Sequence, residues 1–232
     1  LPAVAVGLLA ATPAPRARAS LVLVTLDTTR SDRLGCYGAH AARTPVIDAL
    51  AAKGTRYARA ISASPLTLPA HGTLMTGLDP PEHGMRDNGF GKLPAEVPTL
   101  AEALSAEGYA TGAFVASRVL DSRFGLARGF EHYDDRMAAE TVGEYGYPER
   151  DAAQVTSAAA AWIAGALGRE PKRPLFVWVH YYDPHAPYLP PAPWRGETPE
   201  ASYAGEIAYV DRELGRLLAA LPGRDGGRLV AL

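Results

Sequence analysis

The 232-residue sequence carries 23 Lys and Arg against 25 Asp and Glu, a formal net charge of −2, with 47% hydrophobic residues, an ordinary globular composition. This balance, with no basic cluster interleaved with aromatics, excludes the electrostatic footprint of a nucleic-acid partner. Cys36 stands alone, which excludes an internal disulfide and a cysteine-rich metal site and leaves the compartment open.

In chain order, residues 1–11 are apolar and small and lead into Arg16-Ala17-Arg18-Ala19. This reads as the tail of a secretory signal, with a cleavage site at Ala17-Arg18-Ala19, or as the end of a membrane anchor; an Ala/Pro-rich leader is the alternative. Residues 1–20 are accordingly expected to be a leader that begins further upstream. The protein is expected to be exported, either periplasmic or attached to a membrane and facing outward. Residues 21–26 form a continuous apolar run, the pattern of a strand buried on both faces. Residues 44–53 have helical spacing and end at Gly54, and residues 69–75 form a short helix stopped by Gly77. Thr99 opens a helix to Glu107 with Glu102 completing a capping box, and Gly108 closes it. A strand over 110–116 follows, then an irregular polar-aromatic excursion over 124–148. After it come an alanine-rich helix over 151–167 and a buried strand over 175–180. Residues 182–199 read as a proline-rich ordered surface loop, 203–221 as an amphipathic helix, and 228–232 as a last strand.

Strands separated by helices predict an α/β fold, a doubly wound and mostly parallel sheet with helices on both faces. Ligands bind such sheets outside the carboxyl ends of the strands. Asp27, Ser117 and the Asp183 to His185 segment each follow a predicted strand and become the candidates. Asp27 is placed either to bind a hard cation or to cap a turn. Thr67, with Pro69 in the first helical turn, sits at a helix N-terminus, where free amide hydrogens and the helix dipole favour an anion. A hydroxyl there is a nucleophile if a metal lowers its pKa, and otherwise an ordinary cap. His71, four residues on, either orients or protonates groups at the site or lies on an exposed face. His180, inside the strand, reads as structural, whereas His185 between two prolines can donate to an ester oxygen.

The series Leu23-Val24-Thr25-Leu26-Asp27-Thr28-Thr29-Arg30, Leu34-Gly35-Cys36-Tyr37-Gly38 and Thr44-Pro45-Val46-Ile47-Asp48-Ala49-Leu50-Ala51 resembles the start of sulfatase-like enzymes of the alkaline phosphatase superfamily. The order continues with Ser64 to Gly72, Leu74-Met75-Thr76-Gly77, Pro81 to Gly84, Pro98-Thr99-Leu100 and Asp183-Pro184-His185, from about Leu21 to the end. The resemblance implies that Asp27 and Thr67 bind one divalent ion (Ca, Mg or Mn). It also implies that Thr67 is the nucleophile, that His71 occupies the place of a steering arginine, and that Asn88 and His185 contact substrate oxygens. Ser117 and Arg118 stand where the family's Gly-Lys-x-His signature would be, and are carried as substrate-binding candidates.

The departures are specific. The slot reads Thr67-Leu68-Pro69-Ala70-His71 rather than Cys or Ser followed by x-Pro-x-Arg, so no formylglycine is expected, and Thr28 replaces the second acid of the usual Asp-Asp pair. The family's remaining metal ligands would follow the strand that starts near Arg228, so residues 21–232 are expected to be the N-terminal portion of a catalytic domain, inactive or nearly so by itself. Three functions stay open: hydrolysis of sulfate, phosphate or phosphonate esters; transfer of a phospho-alcohol group onto an envelope glycan or lipid; and a binding protein that retains the fold. The expected partner is a small-molecule, glycan or lipid ester, with possible membrane attachment through the leader.

Overall fold

The computed structural model describes residues 18–137, 149–221 and 227–231, the last as backbone. The leader up to residue 17 and the 138–148 part of the predicted excursion lie outside the described residues. Five strands, β1 (Ser20–Leu26), β2 (Ala110–Val115), β3 (His132–Asp134), β4 (Leu175–Tyr181) and β5 (Gly227–Ala231), form one parallel sheet in the order β3-β2-β4-β1-β5. The helices are α1 (Pro45–Lys53), α2 (Thr67–Thr76), α3 (Pro80–His83), α4 (Leu100–Ala106), α5 (Ala152–Arg169) and α6 (Pro199–Ala219). Among the described residues no helix is long and apolar enough to cross a membrane.

The doubly wound architecture follows from the strand sequences. Successive strand side chains point to opposite faces, and both sets are apolar here. Val22, Val24, Phe114, Val177 and Val179 pack on one face against Val155, Ala159 and Ile163 of α5 and Val210 and Leu214 of α6. Leu23, Ala113, Val115, Phe176 and Trp178 pack on the other against Leu68 and Met75 of α2 and Ala101 of α4.

Several boundaries follow the local chemistry. The predicted capping box holds α4: Thr99 Oγ1 accepts from Glu102 N at 3.1 Å, and Thr99 N donates to Glu102 Oε2 at 2.8 Å. A second capping box, between Asp151 and Gln154, opens α5. Helix α6 starts at Pro199 rather than at residue 203, because Thr198 accepts from Ala201 N at 3.2 Å and proline suits a first helical position. The first turn of α1 is capped from another element: buried Asp211 of α6 accepts from Val46 N at 3.1 Å and Ile47 N at 2.8 Å. The reading of residues 124–148 as irregular is corrected by β3. Its three residues, His-Tyr-Asp, carry no apolar run and become an edge strand only by pairing with β2. The 182–198 connection is not wholly a surface loop either, since Pro184 and Pro190 are buried.

Candidate functional site

The site is built at the carboxyl ends of β1 and β4. These strands pair with Leu23 opposite Trp178 and Thr25 opposite His180, and Asp27 N extends the ladder by donating to Tyr181 O at 3.0 Å. Alternation therefore puts Leu23, Thr25 and Asp27, together with Trp178 and His180, on the face that α2 covers. Thr67 and His71, one helical turn apart, share the face of α2 that meets them.

Thr67 is the first residue of α2, and its Oγ1 donates to Asp27 Oδ2 at 3.1 Å. His180 Nε2 lies 3.4 Å from the same oxygen, an electrostatic contact without a directed hydrogen bond. Its Nδ1 faces the Ala116 backbone N–H at 3.5 Å, which leaves Nε2 as the protonated nitrogen facing Asp27. Burial raises the Asp27 pKa, but His180, then His71 and His185, outweigh it and hold the carboxyl below its ordinary 3.8. Asp27 is therefore a carboxylate at neutral pH.

His71 is buried, not exposed. Its Nδ1 lies 2.7 Å from the Thr67 carbonyl, which can only accept, so Nδ1 carries the proton. Its Nε2 then accepts from Thr25 Oγ1 at 3.1 Å, and Thr25 Oγ1 in turn accepts from Trp178 Nε1 at 3.1 Å. Burial, reinforced by His180, pushes the His71 pKa down to about 4, so the ring is neutral at pH 7. Both nitrogens are thus committed to holding the first turn of α2 against the sheet, with none left to protonate a leaving group.

The open amide hydrogens expected at the α2 N-terminus are largely engaged. Leu68 N donates to Asn88 Oδ1 at 2.9 Å, position 69 is a proline, and Ala70 N donates to Leu66 O at 3.1 Å. Asn88 thus reaches the site as a cap on the first turn of α2. His185 stacks on Tyr182 with ring centroids 4.3 Å apart, and its Nδ1 donates to Ala186 O at 2.9 Å. Ser117 is buried and Arg118 half-buried, in a short turn after β2 that packs against α2. Asp27, Thr67 and His71 are linked directly through hydrogen bonds, and Asn88 joins them through the Leu68 amide. His185 lies close enough to act on the Asp27 carboxylate, and Ser117 and Arg118 lie in the turn after β2 that packs against α2. Among the described residues no group of three or more His, Cys, Asp or Glu side chains converges to hold a metal ion.

The family profile described as Sulfatase matches residues 19–231. The chain belongs to the sulfatase family. It is 36% identical to mouse steryl-sulfatase over 118 residues, which cover 45% of the chain and 19% of that protein. It is 25% identical to the Δ4,5-hexuronate-2-O-sulfatase of Bacteroides thetaiotaomicron over 170 residues, 72% of the chain and 34% of that protein. Among solved structures, the phosphonate monoester hydrolase of Agrobacterium radiobacter superposes with a TM-score of 0.74 at 21% identity, covering 92% of the chain and 62% of that enzyme, which shows the shared alkaline-phosphatase-like fold. The chain therefore spans between about a fifth and a third of the length of these curated relatives.

Two residues of this sulfatase-family site escaped the sequence reading in different ways. His180 read as structural because it sits inside an apolar run, yet its parity with Trp178 aims it at Asp27. Thr25 drew no notice, although it is the hydroxyl that Trp178 and His71 share. The only sequence signal for either was the appearance of a polar residue near the carboxyl end of a buried strand.

Behind the His185 loop lies a pair of acids. Burial pushes the Asp183 pKa up to about 7, and burial followed by Asp183 pushes Glu206 up to about 8. Glu206 Oε1 accepts from Leu189 N at 2.7 Å, while Glu206 Oε2 and Asp183 Oδ2 are buried without hydrogen-bond partners. Folded-state values raised in this way mean that the unfolded chain loses these protons first. Stability is then full below about pH 4 for these groups and falls by up to about 1.4 kcal/mol per pH unit per group as pH rises towards 8. Glu206→Gln, which mimics the protonated acid, should flatten the decline; melting curves from about pH 5 to about pH 8 would show it, and an unchanged slope would reject this origin.

Proposed function

We propose that the complete protein is an exported, divalent-metal-dependent hydrolase of sulfate or phosphate/phosphonate esters, with Thr67 as its nucleophile. One observation carries this reading: at the first position of α2, at the carboxyl ends of β1 and β4, the Thr67 hydroxyl is bonded to an ionised Asp27. An ionised carboxylate at a rigid strand end suits a hard cation. Asp27 and Thr67 would supply part of the ligand set of a Ca, Mg or Mn ion. Such an ion, when bound, polarises ester oxygens and lowers the pKa of a neighbouring hydroxyl.

The residues of the chain divide the remaining work. Asp27 orients the Thr67 hydroxyl, and His180 holds Asp27 from the far side. His71 is a positioning residue that fixes the Thr67 carbonyl and hence the aim of its side chain. Asn88 caps the same turn and keeps its amide N–H groups as donors for substrate oxygens. His185 and Arg118 face the anionic ester from the β4 and β2 sides. Attack forms a bond from Thr67 oxygen to sulfur or phosphorus and breaks the bond to the departing alcohol, which leaves with a proton. Water then displaces Thr67 and restores the hydroxyl. Formylglycine has no part in this scheme, because the methyl group on the Thr67 Cβ prevents oxidation to an aldehyde. The substrate class favoured is a small-molecule, glycan or lipid ester, a reading supported by the hexuronate 2-O-sulfatase among the relatives.

The test is a panel of aryl sulfates, phosphate mono- and diesters and phosphonates, assayed on the complete protein with Ca, Mg and Mn. Turnover abolished by chelation and restored by one of these ions is the expected result; turnover that survives chelation would refute the metal requirement. Asp27→Asn should raise the ion concentration for half-activation by roughly tenfold or more. The 232-residue chain alone, with two ligands in reach, should show no metal-dependent turnover.

A further inference from the structure

Thr28 is the one described non-glycine residue with positive φ, at 48°. A β-branched side chain is costly in this left-handed region and persists there only when its surroundings impose it. Here they do. The Tyr203 hydroxyl donates to Thr28 O at 2.8 Å and accepts from Arg30 N at 2.9 Å, so a single side chain of α6 pins the backbone on both sides of residue 29. Tyr203 is itself buried and meets Tyr188 edge-on, ring centroids 5.1 Å apart. The Thr28 side chain donates in turn to Pro184 O at 2.8 Å. Asp27 and His185 are the immediate chain neighbours of the two residues joined by that bond.

We propose that Thr28 is a positioning residue, a strained clamp that fixes the β1 tip bearing Asp27 against the β4 loop bearing His185. The inference rests on the proposed roles of Asp27 and His185 in one ester site. Its physical content is that two loops separated by about 150 residues of sequence keep one spacing because a hydroxyl bridges them and a tyrosine holds that hydroxyl's backbone in place. The middle of the same connection is latched to α6 as well, with Leu189 N donating to Glu206. The single O–H donor of Thr28 is thereby committed to the loop carbonyl.

A matched series separates the clamp from general stability. Thr28→Val keeps the branched shape and the strain but removes the donor, whereas Thr28→Ser keeps the donor. In the complete protein, Thr28→Val should raise KM for the best ester of the panel by about tenfold, the worth of one such hydrogen bond, while kcat changes less. Thr28→Ser should restore KM to near the parental value. On the 232-residue chain, amide hydrogen exchange over residues 182–190 should accelerate in Thr28→Val and Tyr203→Phe and recover in Thr28→Ser, with the remaining sheet amides unchanged. Unaltered exchange in Thr28→Val, or failure of serine to restore either readout, overturns the clamp. If the complete protein turns over no ester, the proposed function fails, and the exchange series still decides whether the clamp exists.

Discussion

Thr67→Ala in the complete protein should reduce kcat/KM on its best ester on the order of 10⁴-fold or more, since loss of a covalent nucleophile removes the step that its neighbours serve. The loss of stability should be modest by comparison. Thr67 contributes one hydrogen bond to the Asp27 carboxylate, worth about 1.5–3 kcal/mol, and that carboxylate keeps the His180 contact. The helix turn itself is held by groups the substitution leaves intact, His71 on the residue 67 carbonyl and Asn88 on Leu68 N. Thr67→Ser is the informative companion. Serine retains the oxygen but loses the methyl group that restricts χ1, so it should keep measurable activity, reduced by roughly tenfold. Retention of more than about 1% of parental activity by the alanine variant would remove Thr67 from the mechanism.

Gly205→Ala should be among the most damaging single substitutions to stability, at about 3 kcal/mol or more, or a fall in Tm of roughly 10 °C. Alanine is the better helix former by about 1 kcal/mol, so intrinsic propensity predicts the opposite sign. Packing decides. A Cβ at Gly205 would lie 1.9 Å from Trp194 O and 2.9 Å from Trp194 C, backbone atoms of the 182–198 connection that cannot turn aside as a side-chain tip could. Helix and connection would have to separate, and the displaced segment is the one that presents His185. Gly168→Ala in α5 is the control, because nothing lies within 4 Å of the added carbon, and there the propensity gain should appear as a small stabilisation. Thermal melts of the two variants side by side measure the contrast, and equal effects would show that the close approach at Gly205 is not what limits stability.

Much of the fold was legible locally. The runs over 21–26, 110–116 and 175–180 are dominated by apolar residues on both alternating sets, the pattern of a strand covered on both faces, and each is a central strand. Thr99 with Glu102 marked a helix start at the level of individual hydrogen bonds. β3 was not legible, because its three residues owe their conformation to β2 and not to their own pattern. The start of α6 was misplaced because Pro199 was assigned to the preceding proline-rich loop, when proline at a first helical position opens a helix. For the site, Asp27 and Thr67 stood out as candidates by their places at a strand end and a helix start, and only the resemblance to sulfatase-like enzymes joined them in one site. The state of His71 could not. The i, i+4 spacing puts it on the same face as Thr67 without saying whether that face meets water or Trp178.

The sequence by itself determined the parallel α/β architecture, the caps that bound its helices, and the places of an acid at a strand end and of a hydroxyl at a helix start. These are consequences of periodicity and local hydrogen bonding, which act over a few residues. The tertiary structure alone decided that β4 inserts between β1 and β2, with Thr25 opposite His180. That register buries a second histidine against Asp27, closes the Trp178-Thr25-His71 chain behind Thr67, and brings Pro184 within reach of Thr28. Strand order and register between segments about 150 residues apart are set by how the whole core packs, so no local pattern encodes them.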